Sequence, residues 1–216
     1  SLMTFVKTGA GAVRFSNTWN PHKNAAQIQE GTVIINGTDV LTTPDVSVSG
    51  GATLAVDSDI TYAPNGTVTF AAGSTLAGHG TYIHPAGDFP APDNFTLAPG
   101  MSTGHLTVDV GSGNTLTLND TSTIEIELIA GKHDSMTVLG DLDLGDSTLD
   151  LLGSPRGNTW VPVITADSII GTFGSSNLDS QYINITGNQV LLLIPEPATL
   201  VMLGLGALGL GRRRRR

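Results

Sequence analysis

Short runs of alternating apolar and polar residues follow one another through most of this chain, and they constrain its fold more than any other feature. The stretches at 106–110 and 124–128 have the period of two that puts successive side chains on opposite faces of a β-strand. Gly, Asn, Asp and Ser separate these runs, as they do in turns. No useful helical periodicity stands before residue 198. The pattern therefore predicts an all-β body.

Two architectures fit such strands. In a β-sandwich, hairpin turns such as Asn36-Gly37 and Asn65-Gly66 would join antiparallel neighbours. In a parallel β-helix, coils of roughly twenty or more residues stack and bury one apolar row against the next. The phrase Gly-x-Thr-Leu favours the parallel β-helix, since it recurs at 51–54, 73–76 and 113–116. We predict a parallel β-helix, with the sandwich as the alternative.

The domain organisation follows from this pattern. We predict a β-solenoid repeat region at 4–152 and a terminal β cap at 153–194, because the open end of a β-helix exposes an unpaired strand edge. Residues 195–216 form a third and different segment.

Part of the body resembles a known family. Lys7-Thr8-Gly9-Ala10-Gly11 followed by Val13-Arg14-Phe15-Ser16 is similar to the autotransporter-associated β-strand repeat, and residues 73–81 and 97–108 are similar to the passenger sequence that follows such repeats. The resemblance covers about residues 4–152. It implies a right-handed parallel β-helix that serves as a stalk or an adhesive surface. The sequence departs from that family because a different segment stands where the translocator barrel would be.

That segment begins with Pro195-Glu196-Pro197, where two prolines prevent a strand ladder from continuing. Residues 198–211 carry no charge, and as a helix they would be about 21 Å long against ~30 Å for a hydrocarbon core. Five arginines follow and would stay on the cytoplasmic side by the positive-inside rule: Arg212, Arg213, Arg214, Arg215 and Arg216. We predict a single C-terminal hydrophobic helix that enters the inner membrane.

These three parts together resemble the PEP-CTERM sorting signal of Gram-negative bacteria. The resemblance implies that the protein is the substrate of an exosortase, an inner-membrane enzyme that acts near the motif. It assigns recognition to Pro195, Glu196 and Pro197, a transient span to 198–211, and a stop role to the arginines. It also implies export to the cell surface or the medium, alongside exopolysaccharide. No export signal is visible in Ser1-Leu2-Met3-Thr4-Phe5, so we expect one upstream.

The charge of the chain is divided unevenly. Residues 1–194 hold five basic and eighteen acidic side chains, whereas 195–216 hold Glu196 and the five arginines. An acidic body disfavours nucleic acid as a partner, because phosphate binding needs a basic surface. Cysteine is absent, which excludes disulfides, thiol catalysis and cysteine-ligated zinc.

Glu125 and Glu127 are the strongest candidates for chemistry. They stand two apart on one strand, hence on the same face and roughly 7 Å apart, a separation that can serve glycoside hydrolysis. Strand alternation explains them equally well if Ile124, Ile126 and Leu128 face inward. We therefore predict solvent-facing glutamates and no catalytic residue.

Two further sets of residues could bind a metal. Asp141, Asp143 and Asp146 lie close together, but their spacing is not that of a calcium loop. His79 and His84 stand five apart, a weak zinc spacing without a third ligand. We interpret all five histidines as surface residues, and we predict neither a metal site nor a cofactor.

The combined expectation is a non-enzymatic, exported surface or matrix protein that is adhesive or structural and associated with exopolysaccharide. The main alternative is a β-helix lyase or hydrolase that acts on polysaccharide. A calcium-stabilised adhesin module is the third hypothesis.

Overall fold

The computed structural model describes residues 4–16, 25–37, 45–57, 59–85, 87–100, 103–129, 132–153 and 159–194. These residues form a β-solenoid of about six turns, and no α-helix occurs among them. One 3-10 helix, Ser180–Tyr182, precedes the last two strands. The strands in chain order are β1 (Thr4–Lys7), β2 (Ala12–Ser16), β3 (Ala25–Ile28), β4 (Gly31–Asn36), β5 (Asp45–Val48), β6 (Ala52–Val56), β7 (Thr61–Tyr62), β8 (Val68–Phe70), β9 (Thr75–Gly78), β10 (Thr81–Ile83), β11 (Phe89–Pro90), β12 (Thr96–Pro99), β13 (His105–Asp109), β14 (Thr115–Thr117), β15 (Thr123–Ile129), β16 (Lys132–His133), β17 (Ser135–Leu139), β18 (Asp141–Asp143), β19 (Thr148–Gly153), β20 (Thr159–Thr165), β21 (Ser168–Ile170), β22 (Ser175–Ser176), β23 (Ile183–Ile185) and β24 (Gln189–Ile194).

The described strands stack in three rows. The first row is interrupted and consists of β1-β3-β5-β8 and then β11-β14-β18-β21. The second row is continuous and runs β2-β4-β6-β9-β12-β15-β19-β22. The third row runs β7-β10-β13-β17-β20 and ends in β24 and β23.

Pairing along the rows is parallel up to the last two strands, which confirms the predicted parallel β-helix. β6 pairs with β9 so that Thr53 stands opposite Thr75, one coil of 22 residues further along the chain. β-Sandwich pairing is wrong for the described body: Asn65-Gly66 lies between β7 and β8, which pair with different neighbours and form no hairpin. The right-handed sense of the coil stays a prediction.

The second row explains why the sequence repeats Thr-Leu. Its inward residues form one column of apolar side chains, all fully buried: Val33, Leu54, Leu76, Leu97, Ile124 and Leu149. The preceding residue in each strand is a partly exposed threonine, and these threonines also stand in register. Each coil therefore buries its leucine or isoleucine on the one before it, which is the main source of stability in such a stack.

A turn with a left-handed residue precedes several of these strands. The backbone N–H of Ala52 donates to Ser49 O, and that of Ser74 donates to Ala71 O. Gly51 and Gly73 occupy the position with positive φ, at +77° and +76°. Two later coils keep this geometry with Asn94 and Asp146, since asparagine and aspartate tolerate left-handed backbone. The coil between them makes the same turn hydrogen bond, from Ser122 N to Asn119 O, without a left-handed residue. The third copy of that phrase, at 113–116, begins β14 in the first row instead.

Aromatic side chains fill the core where the first row is interrupted. The ring of Phe70, at the end of β8, lies 5.6 Å from that of Phe89 in β11 and 5.3 Å from that of Phe95. Phe95 is fully buried. The core therefore stays continuous across the gap between β8 and β11, although no backbone pairing links these two described strands.

The last two strands reverse the pairing. β24 lies between β20 and β23 and is antiparallel to both. It buries Val190 and Leu192 against the last coil. We call β23 and β24 the C-terminal cap. Parallel pairing continues beyond residue 152, as far as β22. The boundary between a repeat region at 4–152 and a cap at 153–194 stays a prediction.

Candidate functional site

The last strand of the body, β24, is paired along its whole length with β20 and is followed directly by the C-terminal segment. Ile194 is the last residue of β24 and stands opposite Thr159 of β20. Pro195 follows directly in the sequence, so no linker separates the cap from the Pro-Glu-Pro motif. Pro195, Glu196, Pro197, the predicted hydrophobic helix and the five terminal arginines lie outside the described residues.

Glu125 and Glu127 lie on the outward side of β15, as alternation predicts, since Ile124, Ile126 and Leu128 are buried. Glu125 stands opposite Asp150 of β19, and Glu127 stands opposite Leu152. Partial burial raises the pKa of Glu125, and the negative charge of Asp150 raises it further. A raised carboxyl pKa suits a general acid but also follows from any crowded row of carboxylates.

These two glutamates share an open groove of about 350 Å³. Its other lining residues are Ala98, Pro99, Gly100, Asp134 and Leu152. No aromatic ring and no cation of the described residues lines it, so they give the groove neither the stacking surface nor the positive charge that would hold an acidic sugar. We call it the acidic groove.

Asp134, between β16 and β17, connects two neighbouring coils through hydrogen bonds to backbone amides. Its carboxylate accepts hydrogen bonds from the backbone N–H of Gly104, at 2.7 Å, and from that of Glu127, at 2.9 Å. The residue is 3% exposed. Burial raises the pKa of Asp134, and the two amide hydrogen bonds oppose that rise. The sequence did not single out this residue, because one aspartate after a histidine has no distinctive pattern.

The hairpin of β15 and β16 brings three basic side chains together. Leu128 pairs with His133 and Ile129 with Lys132, so the chain folds back beside the start of β13. An open pocket of about 360 Å³ lies there, lined by Thr103, Gly104, His105, Lys132, His133 and Ser135. We call it the basic pocket. The fold thus brings His105 and His133, which stand 28 residues apart in the sequence, to one pocket.

His84 and Asp143 have local structural roles. The ring of His84 stacks on Phe89 at 4.5 Å, and burial lowers its pKa. Asp143 accepts a hydrogen bond from the backbone N–H of Gly145, at 3.1 Å, and thereby closes a turn. Among the described residues, no three His, Cys, Asp or Glu side chains are grouped so that they could hold a metal ion.

The chain's end is where comparison with known proteins is informative. Residues 193–216 match the family model described as the PEP-CTERM protein-sorting motif. The chain carries a PEP-CTERM sorting motif. The match begins at Leu193, the penultimate residue of β24, and covers all three parts of the C-terminal segment. No curated protein matches the chain.

The PEP-CTERM motif implies that this protein is exported and is processed as a substrate by an exosortase. Such motifs mark exported proteins that are transiently anchored in a membrane. Among the helices of the described residues, none is long and apolar enough to cross a membrane. The motif says nothing about the solenoid, and the autotransporter resemblance of the body stays a prediction.

Replacing Asp134 tests its part in holding the corner. Asp134→Ala leaves two amide N–H groups without their acceptor, and each such loss costs about 1–3 kcal/mol. We expect the free energy of unfolding, measured by urea denaturation, to fall by about 2–5 kcal/mol. Asp141→Ala is the matched control, since Asp141 is a partly exposed aspartate with no side-chain hydrogen bond to a described residue, and it should change the value by less than about 0.5 kcal/mol. Equal effects of the two variants would contradict the role given to Asp134.

Proposed function

We propose that this protein is a non-enzymatic solenoid that an exosortase places at the cell surface or in the extracellular matrix, where it acts as a structural or adhesive element beside exopolysaccharide. One observation supports this most directly: a stack of coils ends in a strand that is followed at once by the sorting motif. The rows of outward Thr, Ser and Asp side chains are repeated from coil to coil, which suits contact with an extended, hydroxylated polymer.

The sorting steps are proposed for particular residues. Pro195, Glu196 and Pro197 are recognised by the exosortase in the inner membrane. Residues 198–211 insert transiently, and Arg212, Arg213, Arg214, Arg215 and Arg216 hold the end of the chain on the cytoplasmic side. The right-handed coil and the stalk-like or adhesive use of the body follow the autotransporter passengers that the sequence resembles.

Cell fractionation with a single-residue variant tests the proposal. In a host with its own exosortase, the full chain with an export signal should reach the surface or medium, whereas Glu196→Ala should accumulate in the inner membrane with its tail uncleaved. Glu30→Ala is the control, because it removes an acidic side chain from the opposite end of the body. Surface delivery of Glu196→Ala at the level of the full chain would contradict the sorting assignment.

The alternative, a polysaccharide-acting hydrolase, rests on the acidic groove and the raised pKa of Glu125. Purified protein should release no reducing ends from bacterial or plant polysaccharides. Turnover that Glu125→Gln or Glu127→Gln abolishes would replace the structural proposal with an enzymatic one.

A further inference from the structure

The basic pocket differs in charge from the rest of the body. Residues 1–194 hold eighteen acidic and only five basic side chains, yet Lys132, His105 and His133 line one pocket that no carboxylate of the described residues lines. The acidic groove is a different cavity that shares no lining residue with this pocket, and Asp134 and the two glutamates line it. The two cavities therefore differ in the charges that line them.

Lys132 is a cation without an internal partner among the described residues. Of the lysines and arginines in the described ranges, Lys7 is buried and donates to the carbonyl oxygens of Thr8 and Glu30, at 3.0 Å each, and Arg14 pairs with Asp57. Lys132 is exposed and forms no ion pair with a described residue. Its ammonium group is thus available to a ligand.

The nearest carboxylate in sequence, Asp134, is not among the residues that line the pocket. Its two oxygens accept hydrogen bonds from the backbone amides of Gly104 and Glu127. Among the described residues, it forms no ion pair with Lys132. The ammonium group of Lys132 therefore stays unpaired, although Asp134 remains a negative charge close to the pocket.

Polar groups complete the lining. His105 Nδ1 lies 2.8 Å from Ser135 Oγ, which fixes the ring and leaves Nε2 as its other nitrogen. With the Ser135 hydroxyl donating to Nδ1, Nε2 carries a hydrogen and can donate to an anion even when the ring is neutral. Partial burial lowers the pKa of His105, which favours the neutral ring. Thr103 and Ser135 add hydroxyl groups of the kind that sugars bind.

We propose that the basic pocket binds the carboxylate of an acidic saccharide, with Lys132 as the charged contact and His105, His133, Thr103 and Ser135 as hydrogen-bonding contacts. The pocket has a volume of about 360 Å³ and is open to solvent, so one sugar of a longer chain can reach its lining residues. The anionic part of this inference stands on the lining residues alone, and the saccharide part rests on the proposed function. A single exposed ammonium group implies weak binding per sugar, which a polymer could strengthen through repeated contacts.

Titration of the purified full chain with sodium glucuronate tests the pocket. We expect saturable shifts of the His105 and His133 ring signals in NMR spectra, with the His84 signal unchanged. Glucose, which has the ring but no carboxylate, should give no shift. Absence of any glucuronate shift would overturn the site, and a stronger response to inorganic phosphate than to glucuronate would overturn the saccharide assignment.

Charge variants show whether Lys132 carries the contact. Lys132→Ala should weaken glucuronate binding about tenfold, the loss of one charge-assisted hydrogen bond, and Lys132→Arg should largely preserve it. Arg14→Ala removes the same charge elsewhere on the body and should leave binding unchanged. Equal weakening by Lys132→Ala and Arg14→Ala would overturn the proposal, since it would mean that only net charge matters. These titrations do not depend on sorting, so their failure is distinguishable from failure of the fractionation test.

Discussion

A chain that ends at Asn188 is expected to lose most of its folding free energy, whereas a chain that ends at Ile194 should fold like the full body. The difference is β24, which lies between β20 and β23 and pairs with both. Its removal exposes the core under Val190 and Leu192 and frees the edge of β20 that faces away from β17. Loss of a buried aliphatic side chain costs about 2–5 kcal/mol, so the two together approach the roughly 5–15 kcal/mol that stabilises a typical domain.

Urea denaturation followed by circular dichroism measures this difference. The chain that ends at Asn188 should be insoluble or unfold at a much lower urea concentration, because an exposed strand edge also promotes aggregation. Within the full chain, Leu192→Ala and Leu193→Ala provide a matched pair, since Leu192 is 1% exposed and its neighbour faces the other side of the strand. We expect about 2–5 kcal/mol for the first and less than about 1 kcal/mol for the second. Similar stabilities for the two truncated chains would show that β24 belongs to the tail and not to the body.

This geometry bears on the sorting step. Because Ile194 is paired and Pro195 follows at once, an enzyme that needs an extended peptide around Pro195-Glu196-Pro197 works next to the folded cap. The proposed exosortase recognition would therefore take place within three residues of the paired strand β24. Comparing Leu192→Ala, which weakens β24, with Glu196→Ala, which leaves β24 intact, separates a loss of stability from a loss of recognition.

The solenoid was predictable from the sequence because every coil needs the same local elements in the same order. Each second-row strand needs a turn, an outward residue and an inward apolar residue, and Gly-Ala-Thr53-Leu54 and Gly-Ser-Thr75-Leu76 show all three. The later coils were harder to recognise because Asn94 and Asp146 replace glycine at the left-handed position. Phe95 also takes the place that Ser74 holds in the coil before, where it fills the interrupted first row.

The basic pocket could not be predicted from spacing. His105 lies on β13, whereas Lys132 and His133 form β16, which pairs with the end of β15. Only the stacking of one coil on the next brings these three residues to the same pocket. The signal that could have found them is the register itself: once His105 is aligned with Ser135, its neighbours in the next coil follow. The glutamates were predictable because strand alternation alone places Glu125 and Glu127 on the outer face.

Gly78 is the glycine at which we expect an added side chain to lower the free energy of unfolding most. It ends β9 at the corner between the second and third rows, with φ at +117°. A Cβ atom there would lie 2.0 Å from Val56 O and 2.7 Å from Val56 N. Both atoms belong to the backbone of the neighbouring strand, so neither can move without breaking the ladder between β6 and β9. We expect Gly78→Asn to lower the free energy of unfolding by at least about 4 kcal/mol, since backbone strain and a severe overlap add together.

Gly51→Asn is the control that separates the overlap from the strain. Gly51 also has positive φ, at +77°, but a Cβ atom added there would have no described atom within 4 Å beyond its chain neighbours. Asn94 already occupies the equivalent turn position in a later coil, so asparagine should cost no more than about 1 kcal/mol at Gly51. Urea unfolding of the two variants beside the full chain gives both values. Comparable losses at the two glycines would mean that left-handed backbone alone sets the cost; a large loss at Gly78 only would show that the coils approach each other too closely at this corner for any side chain.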